Sequence, residues 1–332
     1  MRENDRNINL SKGLRVFSAF DGISCGQLAF QRAGIPVDTY FASEICDYSI
    51  KITKKNFPNT IEVGDIRDVN CEDYKDIDIV IGGSPCQSFS FAGTMNGMTT
   101  KEKQEITTLE QYLELKEKGF EFEGYSYLFW EYVRILKGIK PKYFLLENVK
   151  MAEKWKKVIT DALGVEPILI NSELVSAQSR ERLYWTNIPN LSVPKDKNIS
   201  LIDILEDVEI DGNVQKFKPS VRNNVINQYE KIVNSTKNIQ RLDCESGWQD
   251  NKVGIYKSPT LRYGNPFCLA KDKNNKVRRI TVTEAERLQT LAISCKRSSG
   301  LPRRGVAGRC SSGQPKEGAK RRGSTAITAK LV

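Results

Sequence analysis

The feature that most constrains the fold is an alternation of short apolar segments with longer amphipathic ones. The apolar segments are residues 14–20, 38–43, 77–82, 143–148 and 165–171. The stretches between them, such as YSYLFWEYVRILKG, place apolar residues at helical spacing. Two neighbouring parallel strands must be joined by a long crossover connection, which is usually a helix. Alternation of strands with helices therefore indicates parallel pairing. We therefore predict an α/β fold with a doubly wound, mostly parallel sheet.

Polar residues collect at the ends of these apolar segments and in the connections between them. They are Asp21, Gly22, Glu44, Asp65, the turn Ser84–Pro85–Cys86, Glu147 and Asn148. In a doubly wound sheet, ligands bind outside the carboxyl ends of the strands. A carboxylate after the second strand can accept ribose hydroxyls, and one after the third could accept an adenine amino group. From the residues alone, a nucleotide-type site and solvated surface carboxylates both stay open.

Cys86 lies on a turn of small residues, GGSPCQS, that follows the apolar run DIDIVI. A lone cysteine after a strand is commonly a small core residue. The alternative is a nucleophile held over a pocket. The chain has no histidine, so a His-assisted nucleophile is excluded and we expect no metal site of the usual zinc type. The arginines of QSRER are the available positive charges, and alternation places Arg180 and Arg182 on one face of a strand.

The net charge of +10 comes mainly from the end of the chain. Residues 292–332 contain ten Lys or Arg and one Glu, and have no aromatic residue. We predict that this tail is disordered, because it cannot bury enough apolar surface. Its abrupt change of composition favours a shifted reading frame or a vector-derived end. A native basic tail for nonspecific DNA contact is the competing interpretation.

The remaining segments suggest two domains. Residues 1–187 form the α/β domain, in which 94–124 is predicted as a mobile loop, although a solvated helix fits its composition equally well. Residues 188–276 show no strand–helix alternation and predict a smaller module. Residues 277–291 return to a strand and a helix, with Thr283 as a candidate N-cap and Glu286 three residues later.

The sequence has no apolar run long enough to cross a bilayer, and its first residues are polar without a secretory signal. We therefore expect no membrane association and a cytoplasmic location. A monomer is the expected state.

Taken in order, seven sequence blocks resemble a known family. They are FSAFDGISCG, ASE, GDI, GGSPCQSFS, LLENV, QSRERLYW and RRITVTEAERLQT, within residues 16–290. This pattern resembles the DNA cytosine-5 methyltransferases that depend on S-adenosylmethionine. The stretches SYLFWEYVRIL and QSRERLYW look bacterial or phage-like, and the cofactor blocks are also similar to vertebrate de novo methyltransferases. The resemblance implies a Rossmann-like class I methyltransferase fold with a target-recognition domain at 188–276.

The resemblance also implies roles for single residues. Cys86 would be the nucleophile, Glu147 the acid that contacts the target base and Arg182 its orienting partner. Arg180 and Asn148 would support them.

The residues implied to form the cofactor site are Phe20, Asp21, Gly22, Glu44, Ile45, Asp65, Ile66, Ser84 and Pro85. Phe20 to Gly22 would line the loop beneath the methionine part. Glu44 would bind the ribose, and Asp65 with Ile66 would bind the adenine.

The implied reaction methylates carbon 5 of a cytosine that is flipped out of duplex DNA, through a covalent adduct with Cys86. A cognate restriction endonuclease acting on the same site would be a functional partner without direct contact. After ERLQT, however, the sequence departs from the family pattern, whose C-terminal helix completes the cofactor pocket. A catalytically impaired DNA- or cofactor-binding remnant therefore stays open. A tRNA methyltransferase is disfavoured, because its usual Cys-Phe-Thr motif is absent.

Overall fold

A computed structural model describes most of the chain from Lys12 to Leu291. The described residues are 12–89, 97–206, 240–243, 253–255, 257–258, 260–261, 268–271 and 277–291. The predicted tail at 292–332 lies outside them, and so does much of the predicted 188–276 module.

Eleven strands are present in the described residues. They are β1 Leu14–Ala19, β2 Val37–Ser43, β3 Ile61–Glu62, β4 Ile79–Gly82, β5 Tyr143–Val149, β6 Ile168–Asn171, β7 Glu181–Thr186, β8 Gln240–Asp243, β9 Val253–Ile255, β10 Cys268–Lys271 and β11 Val277–Arg279.

Seven α-helices accompany the strands in the described part of the chain. They are α1 Cys25–Arg32, α2 Asp47–Asn56, α3 Leu109–Glu117, α4 Phe129–Ile139, α5 Glu153–Leu163, α6 Leu201–Ile204 and α7 Val282–Leu288. No helix among the described residues combines the length and apolar character needed to span a bilayer.

The main sheet has seven strands in the order β3-β2-β1-β4-β5-β7-β6. Strands β1 to β5 pair in parallel, and β7 runs antiparallel to β5. The predicted α/β class with a mostly parallel sheet is confirmed. The last predicted strand is shorter than expected because it begins only after Pro167, which has no N–H for a ladder.

Both faces of the central strands are buried, as a doubly wound sheet requires. Successive side chains alternate between two cores: Phe17 and Val80 enter one, and Val16 and Ile79 enter the other. The first core also contains Trp130 and other apolar residues of α4. The strand ends are therefore held between packed layers of helices.

The segment predicted as a mobile loop contains helix α3. Thr108 caps this helix, since its hydroxyl accepts a hydrogen bond from the backbone N–H of Gln111. Leu109, Tyr112 and Leu115 are buried in the first core. Part of the segment is thus a helix packed on the first core, and the mobile loop stays a prediction.

The chain divides into two compact units. One holds residues up to Ile170 and Glu181–Ser192, and the other holds Asn171–Arg180 and the described residues from Val193 to Leu291. The second unit contains a four-stranded antiparallel sheet in the order β11-β10-β8-β9. Its described core includes Ala177, Leu201 and Leu288.

The N-cap of α7 is Thr281, so the prediction of Thr283 was wrong. Thr281 Oγ1 accepts from the backbone N–H of Glu284 (3.0 Å), and Glu284 Oε2 accepts from the backbone N–H of Thr281 (2.7 Å). Both threonines precede a glutamate by three residues. Tertiary contacts favour the earlier pair, because Glu284 is buried and its other oxygen accepts from the backbone N–H of Glu206.

Candidate functional site

The turn that carries Cys86 follows β4, whose four residues are all buried. Gly82 ends the strand where a Cβ atom would lie 3.0 Å from the Tyr132 ring and 3.1 Å from the carbonyl oxygen of Ala19. The turn can therefore pass close to α4. The side chain of Cys86 is partly exposed, whereas that of Cys25 is buried. The environment of Cys86 therefore differs from that of a core cysteine.

Asn148 links the end of β5 to this turn. Its Nδ2 donates to the carbonyl oxygen of Ser84 (3.3 Å) and to Ser84 Oγ (3.0 Å). Its Oδ1 accepts from the backbone N–H of Val149 (2.8 Å). Because Asn148 and Ser84 are both buried, these bonds fix the path of the chain just before Cys86.

Glu147 and Arg182 form an ion pair at the end of β5. Arg182 Nε lies 2.8 Å from Glu147 Oε1, and the side chains are 14% and 8% exposed. Glu147 is opposite Tyr184 in the antiparallel ladder with β7. Arg182 is therefore its diagonal neighbour on the same face, within reach of a long side chain. The pair is largely desolvated and oriented by the register.

Arg180 lies just before β7, in the second compact unit. Its backbone N–H donates to Asn171 Oδ1 (2.7 Å), and its carbonyl accepts from the backbone N–H of Ser172 (3.1 Å). The backbone of Arg180 is thus fixed within that unit.

The loop after β1 is tightly wound. Phe20, Gly22 and Ser24 all have positive φ values, of 57°, 64° and 60°. The Asp21 carboxylate is buried and accepts from Tyr40 OH (2.7 Å) and from the Ser24 hydroxyl. Burial raises the pKa of Asp21, against these hydrogen bonds. Its side chain supports the loop from inside, so a ligand would meet the backbone here.

Glu44 joins this loop to the end of β2. Its Oε2 accepts from the backbone N–H of Gly22 (2.8 Å), and its Oε1 accepts from the backbone N–H groups of Ile45 and Cys46 (2.8 Å each). Burial raises the pKa of Glu44, and the three backbone donors oppose that shift. The next side chain, Ile45, is 53% exposed. A carboxylate and an exposed apolar side chain therefore lie side by side.

Asp65 begins a short 3-10 turn, Ile66–Asp68. Its Oδ1 accepts from the backbone N–H of Arg67 (2.9 Å), and its Oδ2 lies 2.5 Å from Arg67 Nη2. Partial burial acts to raise the pKa of Asp65, but the hydrogen bonds and charge of Arg67 outweigh it and hold the pKa below its usual value. Asp65 is thus an ionised acceptor at the third strand end.

Sequence reasoning missed Glu62, the last residue of β3. Both of its carboxylate oxygens are shielded from solvent and have no hydrogen-bond partner within the described part of the chain. Burial first, and then the charges of Asp21 and Glu44, raise its pKa to about 7, against the opposing charge of Lys54. The sequence IEVGD suggests that the apolar Ile61 is buried and the carboxylate beside it exposed. The structure shows the opposite for Ile61, which is 45% exposed.

The structure brings the predicted residues together in three connected groups. These are Ser84 with Asn148, Glu147 with Arg182, and the Phe20–Gly22 loop with Glu44. Ile66, the first residue of the turn that Asp65 caps, is buried, and Pro85 is partly exposed beside Cys86. Among the described residues, no three His, Cys, Asp or Glu side chains are grouped to hold a metal ion.

A family model described as C-5 cytosine-specific DNA methylase matches residues 14–294. The Type II methyltransferase M.NgoBV of Neisseria gonorrhoeae is 31% identical over 218 residues, which are 59% of this chain and 46% of that protein. M.NgoPII of the same organism is 28% identical over 315 residues, 83% of this chain and 84% of that protein. The orphan methyltransferase M.SPRI of Bacillus phage SPR is 32% identical over 53% of this chain and 38% of its own length. This chain thus spans under half of M.NgoBV and M.SPRI.

Two solved structures share the fold. A putative DNA modification methyltransferase encoded within an E. coli prophage superposes with a TM-score of 0.52 and 19% identity, over 85% of this chain and 90% of that one. A mutant of Spodoptera frugiperda DNMT2 gives a TM-score of 0.54 and 17% identity, over 87% and 92%.

Proposed function

Because the chain belongs to the C-5 cytosine-specific DNA methylase family, as its motifs indicated, we propose that it methylates carbon 5 of cytosine in duplex DNA. The observation that carries this proposal is the placement of two groups at neighbouring strand ends. The Cys86 turn, held by Asn148, follows β4, and Glu147 of the Glu147–Arg182 ion pair is among the last three residues of the neighbouring strand β5.

The chemistry assigns each of these residues a step. The Cys86 thiolate adds to carbon 6, and the electron pair of the C5–C6 double bond moves through the ring toward N3. Glu147 donates to N3 and stabilises the charge that develops there, while Arg182 orients Glu147. Carbon 5 then has enamine character and accepts the methyl group. A base then removes the C5 proton, the C5–C6 double bond re-forms and the C6–S electron pair returns to sulfur. N3 gives its proton back to Glu147, and Cys86 is free again.

The strand ends have the right chemistry for S-adenosylmethionine. Ribose hydroxyls and an adenine amino group are donors, and Glu44 and Asp65 offer carboxylate oxygens, each with more than one lone pair. The exposed Ile45 offers an apolar surface to a base, and the backbone of Phe20–Gly22, with Ser84 and Pro85, would complete the pocket. When bound, S-adenosylmethionine supplies the electrophilic methyl group.

Duplex DNA is the proposed partner. Carbon 5 in a stacked base is out of reach of a thiol on a turn, so the target cytosine must be flipped out. The module at 188–276 would recognise the sequence around it, with Arg180 contributing, and the segment 94–124 would cover the base. Such an enzyme would act in the cytoplasm of a bacterial or phage-infected cell, beside an endonuclease of the same specificity in a restriction–modification system.

The test is conversion sequencing of DNA from a methylation-free host that expresses the chain. We expect cytosines protected in one fixed context, and no protection with Cys86→Ala. Cys25→Ala, which removes a buried thiol other than the proposed nucleophile, is the matched control and should keep the protection. Absence of protection with the unaltered chain, while it accumulates as soluble protein, would contradict the proposed activity.

A further inference from the structure

Arg134 on α4 holds both ends of the turn that begins at Asp65. Its Nη2 donates to the carbonyl oxygen of Ile66 (2.7 Å), and its Nη1 donates to that of Val69 (2.9 Å). Nη1 of Arg134 also lies 3.7 Å from Cys71 Sγ. A guanidinium is suited to this task, because its donors diverge in a rigid plane.

Glu131, one turn earlier on α4, fixes the guanidinium. Its Oε2 accepts from Arg134 Nε (2.6 Å), and its Oε1 accepts from Tyr112 OH and Lys116 Nζ of α3 (2.6 Å each). The Glu131 side chain is fully buried, and that of Arg134 is 21% exposed. The three donors compensate the cost of burying the Glu131 charge. Because Tyr112 and Lys116 fix the carboxylate, the carboxylate in turn holds the Arg134 side chain in one orientation.

Beyond the contacts of Asp65 with Arg67, the turn has little hydrogen-bond support of its own. The backbone N–H of Asp68 donates to Asp65 O (3.0 Å), and that of Val69 donates to Ile66 O at a long 3.4 Å. A single 3-10 turn has poor hydrogen-bond geometry. The Arg134 bonds to Ile66 and Val69 therefore supply much of what keeps the turn in place.

We propose that Arg134 is a positioning residue for the cofactor: it fixes the turn that presents Asp65 and Ile66 to the adenine, and Glu131 orients it. The assignment rests on the proposed function of that turn. Arg134 lies beneath the turn and acts only through it. Its loss should weaken cofactor binding while leaving the chemical step intact once the cofactor is bound.

The binding experiment compares S-adenosylhomocysteine affinity by calorimetry for the unaltered full chain, Arg134→Met and Arg134→Lys. We expect the dissociation constant to rise about tenfold for Arg134→Met, equivalent to losing about one charged hydrogen bond. Arg134→Lys should give a smaller rise, because an ammonium cannot reach both carbonyls in one plane. With DNA, KM for the methyl donor should rise in parallel, and kcat should stay within about twofold.

The matched control is Ile159→Val, which trims a fully buried side chain on α5 and lowers stability without touching the turn. Its dissociation constant should equal that of the unaltered chain. An unchanged dissociation constant in Arg134→Met, with a lowered melting temperature only, overturns the proposal and makes the residue merely structural.

A second readout needs no ligand. Hydrogen exchange of a peptide covering residues 61–72 should be faster in Arg134→Met than in the unaltered chain, and unchanged in Ile159→Val. Failure of the unaltered chain to bind S-adenosylhomocysteine contradicts the cofactor part of the proposed function. In that case the exchange measurement still decides whether Arg134 fixes the turn, and equal exchange in all three proteins overturns that.

Discussion

At the scale of single residues, Glu62 is the least expected side chain in the first unit. Its carboxylate oxygens are shielded and unpaired within the described residues, and the groups that face it are Asp21, Glu44 and Lys54. Two carboxylates against one ammonium disfavour a further negative charge. The pKa of about 7 follows from burial and from these neighbours.

This makes the stability of the first unit depend on pH through Glu62. The pKa rises from 4.5 to about 7 on folding, so the folded state holds the proton more tightly than the unfolded state. Its contribution to stability is fully present below pH 4.5 and is lost as the pH rises through 7. We predict that Glu62→Gln raises the melting temperature at pH 8 and has little effect at pH 5.

Thermal melts between pH 5 and pH 8.5 test this prediction. Glu117→Gln, which removes an exposed charge from α3, is the control and should shift the melting temperature equally at all pH values. Parallel curves for Glu62→Gln and the unaltered chain would show that Glu62 does not titrate in this range.

At the scale of elements, the β4 turn shows why a sequence motif needs its neighbours. The residues around Cys86 were recognisable as a turn of small residues, but its anchor is Asn148, on β5. We predict that Asn148→Ala lowers kcat by about 100-fold, because a displacement of the order of 1 Å in a reacting group can cost that much. Binding of S-adenosylhomocysteine should change little.

Steady-state kinetics with a fixed DNA substrate, together with calorimetry, measure the two effects. Ser84→Ala keeps the bond from Asn148 to the Ser84 carbonyl and loses the one to the hydroxyl. Its kcat should therefore fall between that of the unaltered chain and that of Asn148→Ala. A weaker affinity with unchanged kcat in Asn148→Ala would place its role in the cofactor pocket instead.

Helix α7 gives a second element-scale prediction. Thr281 carries the cap, and its hydroxyl is also 2.6 Å from Glu206 Oε2. We predict that Thr281→Ala destabilises the second unit by about 1 kcal/mol, the usual cost of losing such a cap. Thr283→Ala should cost less, because Thr283 lies inside the first turn. Urea unfolding of both variants measures the two losses in free energy of unfolding. A larger loss for Thr283→Ala than for Thr281→Ala would show that Thr283 contributes more to the start of α7.

At the scale of the whole molecule, the proposed cofactor residues from Phe20 to Pro85 all belong to the first compact unit. S-adenosylhomocysteine at 100 times its dissociation constant should therefore stabilise that unit by about 2.7 kcal/mol. We predict slower hydrogen exchange in peptides of the first unit and little change at 277–291. Protection centred on the second unit would mean that the ligand binds elsewhere.

The main sheet was predictable because most of its strands are marked by short apolar runs in the sequence. Residues 79–81 and 144–146 are continuous apolar runs, and residues 16–19 are apolar except for Ser18, as expected for strands buried on both faces. Strand β3 has only two residues and gave no such signal. The same locality explains why the carboxylates Glu44 and Asp65, which follow strands, stood out, while Glu62, which belongs to the two-residue strand itself, did not.

The sequence by itself determined the order of strands and helices, the family, and which polar residues stand at strand ends, because these depend on local periodicity and on motifs. Tertiary structure alone decided which of them meet. The pairing of Glu147 with Arg182 needs the antiparallel register of β5 and β7, and the support of the Asp65 turn needs α4 to pack beneath it. Burial, too, is a property of the packed molecule, so the shifted pKa of Glu62 and the choice of Thr281 over Thr283 could emerge only there.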